Sequence, residues 1–314
     1  MLLTSVAALF FSIASVIAQQ PQQTTANSNG LTPVAKQYAD SFKNVGGKVL
    51  SDQVNVYAIF YGDWKSSSAD QNILLNFVDR VSGTAWYNTC KYYYSALNVV
   101  LPNLYDQVKE YTGNDGKTVG SLHLAAALTD SGSHGLNLSD NGIHKQIVID
   151  AVNSGYLSAD NQLDSNGIYI IFAASNVNDS GFCSKNCGYN SYSDQFQYMY
   201  IGHPGVCAQS CIPSLNNATS PNNNPAVDAM ITIFSHELQD ILTDPRNNAW
   251  IVRSGQTEIE LGDFCSGSGV TQEQWFGNVQ QDNGGHYNLA IGDSKYLVQT
   301  IYSREKKACV LSKN

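Results

Sequence analysis

The chain has 314 residues, of which 43% are hydrophobic and 14% are charged, so it can bury a large core as one big domain or two. Its 26 acidic residues outnumber its 17 basic residues, which gives a formal net charge of −9. Because phosphate binding requires clustered Lys and Arg, this balance argues against nucleic acid as a partner.

The first eighteen residues, Met1 to Ala18, have the pattern of a secretory signal peptide, with an uncharged run from Leu2 to Ile17. A membrane anchor is the alternative, but the run is shorter than the ~20 residues that span a bilayer. We therefore predict a secreted protein with no stable membrane insertion. Residues 19–47 are predicted to be a mobile leader, because Gln, Thr, Asn and Pro dominate its first half. Residues 48–314 are predicted to form a single domain.

The first half of the domain begins with a predicted strand, Asn55 to Tyr61, and a helix, Ser68 to Val81, which together suggest a β–α unit. An aromatic cluster follows from Ala85 to Tyr94. Flat aromatic rings can stack on carbohydrate, but packing in the core is the favoured interpretation. The segments Thr118 to Leu128 and Ile143 to Ser154 are both predicted to be helices.

The second half contains an almost continuous apolar run, Gly167 to Ala174, which is typical of a strand covered on both faces and so central to its sheet. Gln197 to His203 is another predicted strand, and Ser214 to Asn224 is a polar linker. Ala226 to Leu242 is a helix, bounded by prolines, and Lys295 to Tyr302 is a last strand. The predicted fold is α/β, with a mixed, largely parallel central sheet flanked by helices.

Seven cysteines occur in the chain, and in an oxidising compartment they are better explained as disulfides than as a thiolate zinc site. We predict two bridges among Cys183, Cys187, Cys207 and Cys211, which would cross-link the surrounding loops. The sequence leaves the pairing of these four cysteines open. A third bridge is predicted between the two last cysteines, Cys265 and Cys309, which leaves Cys90 outside the pairs. Three glycosylation acceptors agree with export and predict a glycoprotein: Asn137, Asn178 and Asn217.

The helix from Ala226 to Leu242 contains the most informative motif, Ser-His-Glu-Leu-Gln-Asp at 235–240. At about 100° per residue, Glu237 and Asp240 fall within its apolar arc and His236 falls at the edge of that arc. Four polar residues gather on the opposite face: Asp228, Thr232, Ser235 and Gln239. A buried carboxylate without a partner costs several kcal/mol, so a divalent metal ion is the simplest explanation of the two acidic positions.

The arrangement is similar to that of zinc peptidases, whose motif helix supplies two ligands and whose third ligand is a downstream acid. Glu258, Glu260 and Asp263 are available. We predict that His236, Asp240 and Glu260 bind the metal, with Asp263 supporting or replacing the third ligand. Glu237 is predicted to act as the general base that takes a proton from water. Zinc is the predicted ion, manganese and calcium remain open, and a polar network without metal is the alternative.

Several separated motifs resemble the EXORDIUM and phosphate-induced protein 1 family of secreted proteins from plants, oomycetes, fungi and bacteria. The resemblance extends from about Val54 to Cys309. It depends on these segments: Val56–Trp64, Trp86 to Cys90 with Tyr92–Tyr94, Phe182–Gly188, the pair Cys207 and Cys211, Val227–Met230, and Tyr287-Asn288 with the closing Cys309.

The resemblance implies an extracellular or cell-wall location and, for plant members, a role in growth, but it implies no established reaction. Microbial members resemble this chain in having a His-Glu-x-x-acid helix. At the last position of that motif they carry Glu, whereas this chain carries Asp240. They also carry Ile where this chain has Leu261.

Three functions therefore remain open. The leading one is a metal-dependent, peptidase-like hydrolase with a peptide substrate. The second is a non-catalytic apoplastic or wall-associated protein whose motif helix is structural. The third is binding of cell-wall polysaccharide through the Trp86 to Tyr94 cluster.

Overall fold

The computed structural model describes residues 31–65, 67–95, 106–138, 141–158 and 160–312. The predicted signal peptide and residues 19–30 of the predicted leader lie outside this range. The ordered fold begins earlier than we predicted, because a helix and a short strand lie within residues 31–47, and Phe42 is buried against Trp250 and Phe264. In the described part of the chain, no helix has both the length and the apolar character needed to cross a membrane.

The helices in chain order are α1 Pro33–Tyr38, α2 Ser68–Arg80, α3 Ala85–Asn88, α4 Asn141–Asn153, α5 Ala208–Cys211, α6 Pro225–Thr243 and α7 Gln272–Phe276. The described residues also form four short 3-10 turns, at Val81–Gly83, Pro204–Cys207, Ser214–Asn216 and Gly262–Cys265.

The strands of the first half are β1 Lys43–Asn44, β2 Gln53–Tyr61, β3 Tyr92–Ser95, β4 Asp106–Lys109, β5 Ser121–Asp130, β6 Asn137–Leu138, β7 Ile168–Ala173, β8 Asn178–Asp179, β9 Gly188–Tyr192 and β10 Gln197–Ile201. Those of the second half are β11 Trp250–Ser254, β12 Thr257–Ile259, β13 Gln280–Asp282, β14 Gly285–Tyr287, β15 Leu289–Ile291, β16 Ser294–Tyr296, β17 Ile301–Ser303 and β18 Ala308–Val310.

The central sheet has five strands in the order β5-β2-β7-β10-β9. The first four are parallel, and β9 joins the edge antiparallel to β10. Every residue of β7 is buried, as its continuous apolar sequence predicts for a central strand. The predicted mixed, largely parallel sheet flanked by helices is therefore confirmed.

Each face of this sheet is covered by a separate hydrophobic core. Alternate residues of β2 point to opposite faces, so Val56, Ala58 and Phe60 join the core beneath α2 and α6. Ile59 and Tyr61 join the other core, which α4 covers. The motif helix α6 thus lies against one face of the sheet, close to its β9 edge.

The prediction of a helix from Thr118 to Leu128 is wrong, because this segment forms edge strand β5, paired with β2. Leu and Ala are strong helix formers, but pairing along the whole of β2 outweighs that preference. The predicted last strand from Lys295 to Tyr302 is also only partly right. It is two strands, β16 and β17, separated by residues 297–300, which belong to no strand.

Residues 297–300 lie along the polar face of α6, which is buried rather than exposed to solvent. The Thr232 hydroxyl donates to the carbonyl of Leu297 at 2.6 Å, and the Gln299 N–H donates to Ser235 Oγ at 2.9 Å. The Gln239 side-chain amide donates to the carbonyl of Thr300. Side chains of the helix thus satisfy this backbone in place of a neighbouring strand. Both faces of α6 are therefore enclosed.

Two rings of the aromatic cluster pack inside the protein. Trp86 and Tyr87 are buried; the Trp86 indole donates to the Gln299 carbonyl, and the Tyr87 hydroxyl donates to the Gly120 carbonyl. These two rings are not a sugar-binding surface. Tyr92–Tyr94 lie in β3, which pairs with β4.

The disulfide prediction is confirmed. Cys183 pairs with Cys207 and Cys187 pairs with Cys211, so two parallel bridges hold the loop before β9 to the segment after β10. Cys265 pairs with Cys309, and Cys90 is buried outside these three bridges. Such bridges are typical of proteins from oxidising compartments.

The Cys265–Cys309 bridge closes the longest of the three disulfide loops, with a sequence separation of 44. We expect replacement of both cysteines by Ala to lower the free energy of unfolding by about 2–4 kcal/mol, because the unfolded chain gains loop entropy. Urea unfolding of the two proteins measures this difference. An unchanged unfolding midpoint would contradict the prediction.

Candidate metal centre

A cleft of about 160 Å³ lies where α6, β9 and the segment around the turn Gly262–Cys265 meet. It is lined by one histidine and five acidic residues: His236, Glu237, Asp240, Glu258, Glu260 and Asp263. Their collection in one place follows from the fold, because α6 turns its acidic positions toward the segment that immediately follows β12.

His236 occupies the centre of this cluster. Its Nε2 atom lies 3.5 Å from Asp240 Oδ2 and 3.9 Å from Asp263 Oδ1, and its side chain is 23% exposed. Its other ring nitrogen, Nδ1, lies 3.0 Å from the Gln299 side-chain oxygen. The imidazole is therefore held between a neutral amide and a pair of carboxylates.

Gln299 determines which ring nitrogen carries the proton. Its side-chain nitrogen donates to the Gly262 carbonyl at 2.6 Å, so its oxygen must face His236 and accept from Nδ1–H. Neutral imidazole protonated at Nδ1 presents a lone pair at Nε2. That lone pair faces the carboxylates, which is the orientation a metal ligand needs.

Asp240 is held by the backbone of the turn that follows β12. The Gly262 N–H donates to Asp240 Oδ1. A Cβ atom at position 262 would lie 2.9 Å from both Asp240 Oδ1 and His236 Nδ1. Position 262 therefore has no room for a side chain. Only glycine lets the backbone approach both groups this closely.

Glu237 lies beside these two groups. Ligand atoms of His236, Glu237 and Asp240 all lie within 4.8 Å of one another. The Asn190 side-chain amide, from edge strand β9, approaches Glu237 Oε2 at 3.4 Å. The carboxylate is thus placed between the edge strand and the two helix residues predicted to bind metal.

The two downstream acids differ in position. Asp263 approaches His236 directly, and its Oδ2 accepts from the Glu260 N–H at 3.0 Å. Glu260 lines the same cleft and interacts with Asp240, but among the described residues it makes no polar contact with His236. Its Oε1 atom is buried and, within the described part of the chain, has no hydrogen-bond partner.

The third acid considered from the sequence, Glu258, also lines the cleft, but its ion-pair partner is a basic residue rather than His236. It pairs with Arg253, whose Nε lies 2.9 Å from Glu258 Oε1. Its charge is therefore already balanced at the cleft's rim. The structure leaves Asp263 and Glu260 as the downstream acids nearest to the helix motif.

Burial raises the pKa of all four clustered carboxyl groups. For Asp240 and Glu260 the rise is large, and neighbouring carboxylates add to it. Burial also raises the pKa of Glu237 and Asp263, although His236 opposes the rise in both cases. Four neighbouring acids that resist ionisation would all be stabilised in their charged forms by a bound cation, so the cleft favours binding of one.

The residues therefore fit a divalent ion on chemical grounds. They offer one imidazole nitrogen with an oriented lone pair, several carboxylate oxygens, and one buried oxygen that has no hydrogen-bond partner among the described residues. Zinc binds such mixed nitrogen and oxygen donor sets, and the carboxylate oxygens also suit manganese. The ligand assignment itself stays a prediction.

Sequence reasoning missed three residues that organise this cleft: Asn190, Gly262 and Gln299. Gly262 lies between the predicted ligands Glu260 and Asp263, so its position in the sequence is a usable signal. Gln299 is 63 residues from His236, and nothing in its local pattern indicates the contact.

The raised pKa values predict that, in the presence of chelator, the melting temperature falls as the pH rises above about 4, the usual carboxyl range. The folded state favours the protonated acids, so this stability is present below the unfolded pKa and is lost as the pH rises through the higher folded values. Glu260→Gln should reduce the fall, whereas the exposed control Glu273→Gln should not. Equal slopes for all three proteins would refute this account.

Gly262→Ala should destabilise the protein by about 1–3 kcal/mol, because the new methyl group must displace Asp240 and His236. Gly83→Ala is the matched control, since a Cβ atom there meets nothing within 4 Å. Denaturant unfolding of both variants measures the difference. Equal stabilities would show that the cleft tolerates a side chain at this position.

Comparison with known proteins places the chain in a family. The model of the phosphate-induced protein 1 conserved region matches residues 42–312. Protein EXORDIUM-like 3 of Arabidopsis thaliana is 26% identical over 340 residues, covering 98% of this chain and 96% of the relative. Protein PHOSPHATE-INDUCED 1 of Nicotiana tabacum is 25% identical over 299 residues, covering 84% and 85% respectively.

No solved structure matches the chain significantly. The family model covers most of the sequence, including the motif helix and both downstream acids. The chain therefore belongs to the phosphate-induced protein 1 family, as the resemblance in its motifs predicts.

Proposed function

We propose that this protein is a secreted, metal-dependent hydrolase of the peptidase type. The observation that supports the proposal most directly is the cleft in which Gln299 directs the Nε2 lone pair of His236 toward buried carboxylates. A purely structural network would gain stability by pairing these acids with hydrogen-bond donors. Instead, Glu260 Oε1 has none among the described residues.

In this proposal His236 and Asp240 hold the ion, together with Asp263 or Glu260 from the following segment. When bound, a divalent ion such as zinc supplies Lewis acidity, which polarises a carbonyl group and acidifies water. The chain's own residues do the rest. Gln299 fixes the His236 tautomer, and the Gly262 N–H holds Asp240 in place.

Glu237 is the proposed general base. Burial raises the pKa of Glu237, which makes its carboxylate a stronger proton acceptor, and this carboxylate lies within 4.8 Å of the other two helix groups. Water adds to the scissile carbonyl carbon while Glu237 accepts the water proton. As the bond to the leaving amine breaks, the same proton passes from Glu237 to the amine nitrogen, so atoms and charges balance.

Secretion and glycosylation are part of the proposal. Three disulfides and an uncharged N-terminal apolar segment support export. The Asn residues of all three glycosylation acceptors are exposed, as attachment of a glycan requires: Asn137, Asn178 and Asn217. An extracellular or cell-wall location follows from this proposal.

The decisive experiment combines metal analysis with hydrolysis of a quenched fluorescent peptide library. The purified mature protein should retain one equivalent of zinc or manganese after dialysis, and Asp240→Asn should lose it. Glu237→Gln should retain the metal but lose at least about 100-fold in hydrolysis, because it removes the general base. Glu273→Gln, an exposed acid on α7, serves as the control and should change neither.

Two results would overturn the proposal. If the wild-type protein holds no metal after zinc loading, the cluster is a polar network without an ion. Stoichiometric metal without hydrolysis of any peptide or ester would favour the alternative of a non-catalytic, wall-associated protein with a structural ion.

A further inference from the structure

The cleft is bordered by an edge of the central sheet whose outward backbone groups are only partly occupied. Strand β9 is the last strand in the sheet and pairs only with β10 among the described strands. All five of its residues, Gly188 to Tyr192, line the same cleft as the acidic cluster. An exposed edge strand carries backbone groups that can pair with another extended chain.

The register of the β9–β10 pair shows which backbone groups face outward. Ser193 N–H donates to the Phe196 carbonyl, so Ser191 and Tyr189 also turn their backbone groups toward β10. Asn190 and Tyr192 therefore direct theirs away from the sheet. Within the described residues, no hydrogen bond occupies the Asn190 carbonyl or either backbone group of Tyr192.

This open edge leads directly to the proposed general base. The Asn190 side chain and backbone N–H both interact with the Glu237 carboxylate. At the other end of the strand, Gly188 packs tightly against α6, because a Cβ atom there would lie 2.6 Å from the Ile233 side chain. The outward backbone groups that no hydrogen bond occupies within the described residues belong to Asn190 and Tyr192, and Asn190 contacts Glu237.

The rest of the cleft is apolar in one part and acidic in the other. Pro213, Ile233, Trp275 and Phe276 line the apolar part, and the two aromatic rings stack with centroids 5.8 Å apart. The described residues that line the cleft include no Lys or Arg. Such a cleft disfavours polyanions, including acidic polysaccharides, and favours neutral or basic ligands.

We propose that the ligand of this cleft is an extended, neutral or basic polypeptide segment that pairs with β9 at Asn190–Tyr192. The Asn190 carbonyl accepts one peptide N–H, and the Tyr192 N–H and carbonyl pair with the peptide backbone. One apolar peptide side chain enters the part lined by Ile233, Trp275 and Phe276. This inference names the substrate class of the same cleft, and as a substrate it rests on the proposed function.

Backbone pairing is tested with N-methylated peptides. The parent probe is a fluorescein-labelled heptapeptide of Val, Thr and Lys with one central Phe, which fixes the register. Two derivatives carry N-methyl groups on alternate amides, one on the odd set and one on the even set. Because only alternate amides face β9, one derivative should bind at least about tenfold more weakly while its sister binds like the parent.

Fluorescence anisotropy with the Glu237→Gln protein measures these affinities without turnover. Equal affinities for both derivatives, whether both strong or both weak, would overturn the pairing. Binding of neutral β-glucan oligosaccharides at this cleft, with no binding of the parent peptide, would overturn it as well.

A protein variant tests the same contact from the other side. Tyr192→Pro removes the outward N–H without removing a bond to β10, whereas Tyr192→Ala removes only the side chain. The proline variant should bind the parent peptide about tenfold more weakly than the alanine variant, at a similar melting temperature. Equal binding by the two variants would count against a contact at this N–H.

These measurements separate the two proposals. If the two N-methylated derivatives bind with different affinities in chelator, but zinc-loaded protein hydrolyses no peptide, peptide pairing is supported and the hydrolase is refuted. If hydrolysis depends on Glu237 but the two derivatives bind with equal affinity, the hydrolase is supported and the pairing is refuted.

Discussion

Burial of several carboxylates around one helix is the constraint on which the rest of this structure depends. Glu237 and Asp240 lie on the buried side of α6, and Glu260 and Asp263 approach from the next segment. Like charges in a shared low-dielectric space are costly, so the surroundings must either supply positive charge or keep protons on the acids. Burial and the neighbouring carboxylates raise the pKa values of Asp240 and Glu260, so the protein groups alone disfavour ionisation of these two acids.

Positioning in this cleft comes from neutral groups rather than from paired charges. The Gln299 amide, the Gly262 backbone and the Asn190 amide each contact one member of the cluster. None of them adds a full positive charge. An arrangement that orients ionisable groups without neutralising them is useful where a cation arrives from solution, which is the basis of the metal proposal.

The sequence predicted those parts of the fold in which a local pattern and the tertiary environment agree. Continuous apolar residues predicted β7, and helical periodicity predicted α6 together with its buried acids. The same reasoning failed for β5, where Leu and Ala suggested a helix but pairing with β2 decided the outcome. It also missed that the polar face of α6 is buried, because that burial depends on hydrogen bonds to residues 297–300, which are distant in sequence from the helix.

The contacts of Gln299 have a consequence for biosynthesis. Its side chain orients His236, its backbone N–H bonds to Ser235, and its carbonyl accepts from the Trp86 indole. One residue near the C-terminus thus joins the early aromatic segment to the motif helix. A nascent chain that has not yet been synthesised past position 299 cannot complete the cleft. The site therefore cannot mature before residue 299 has been synthesised, and products truncated before that residue lack it.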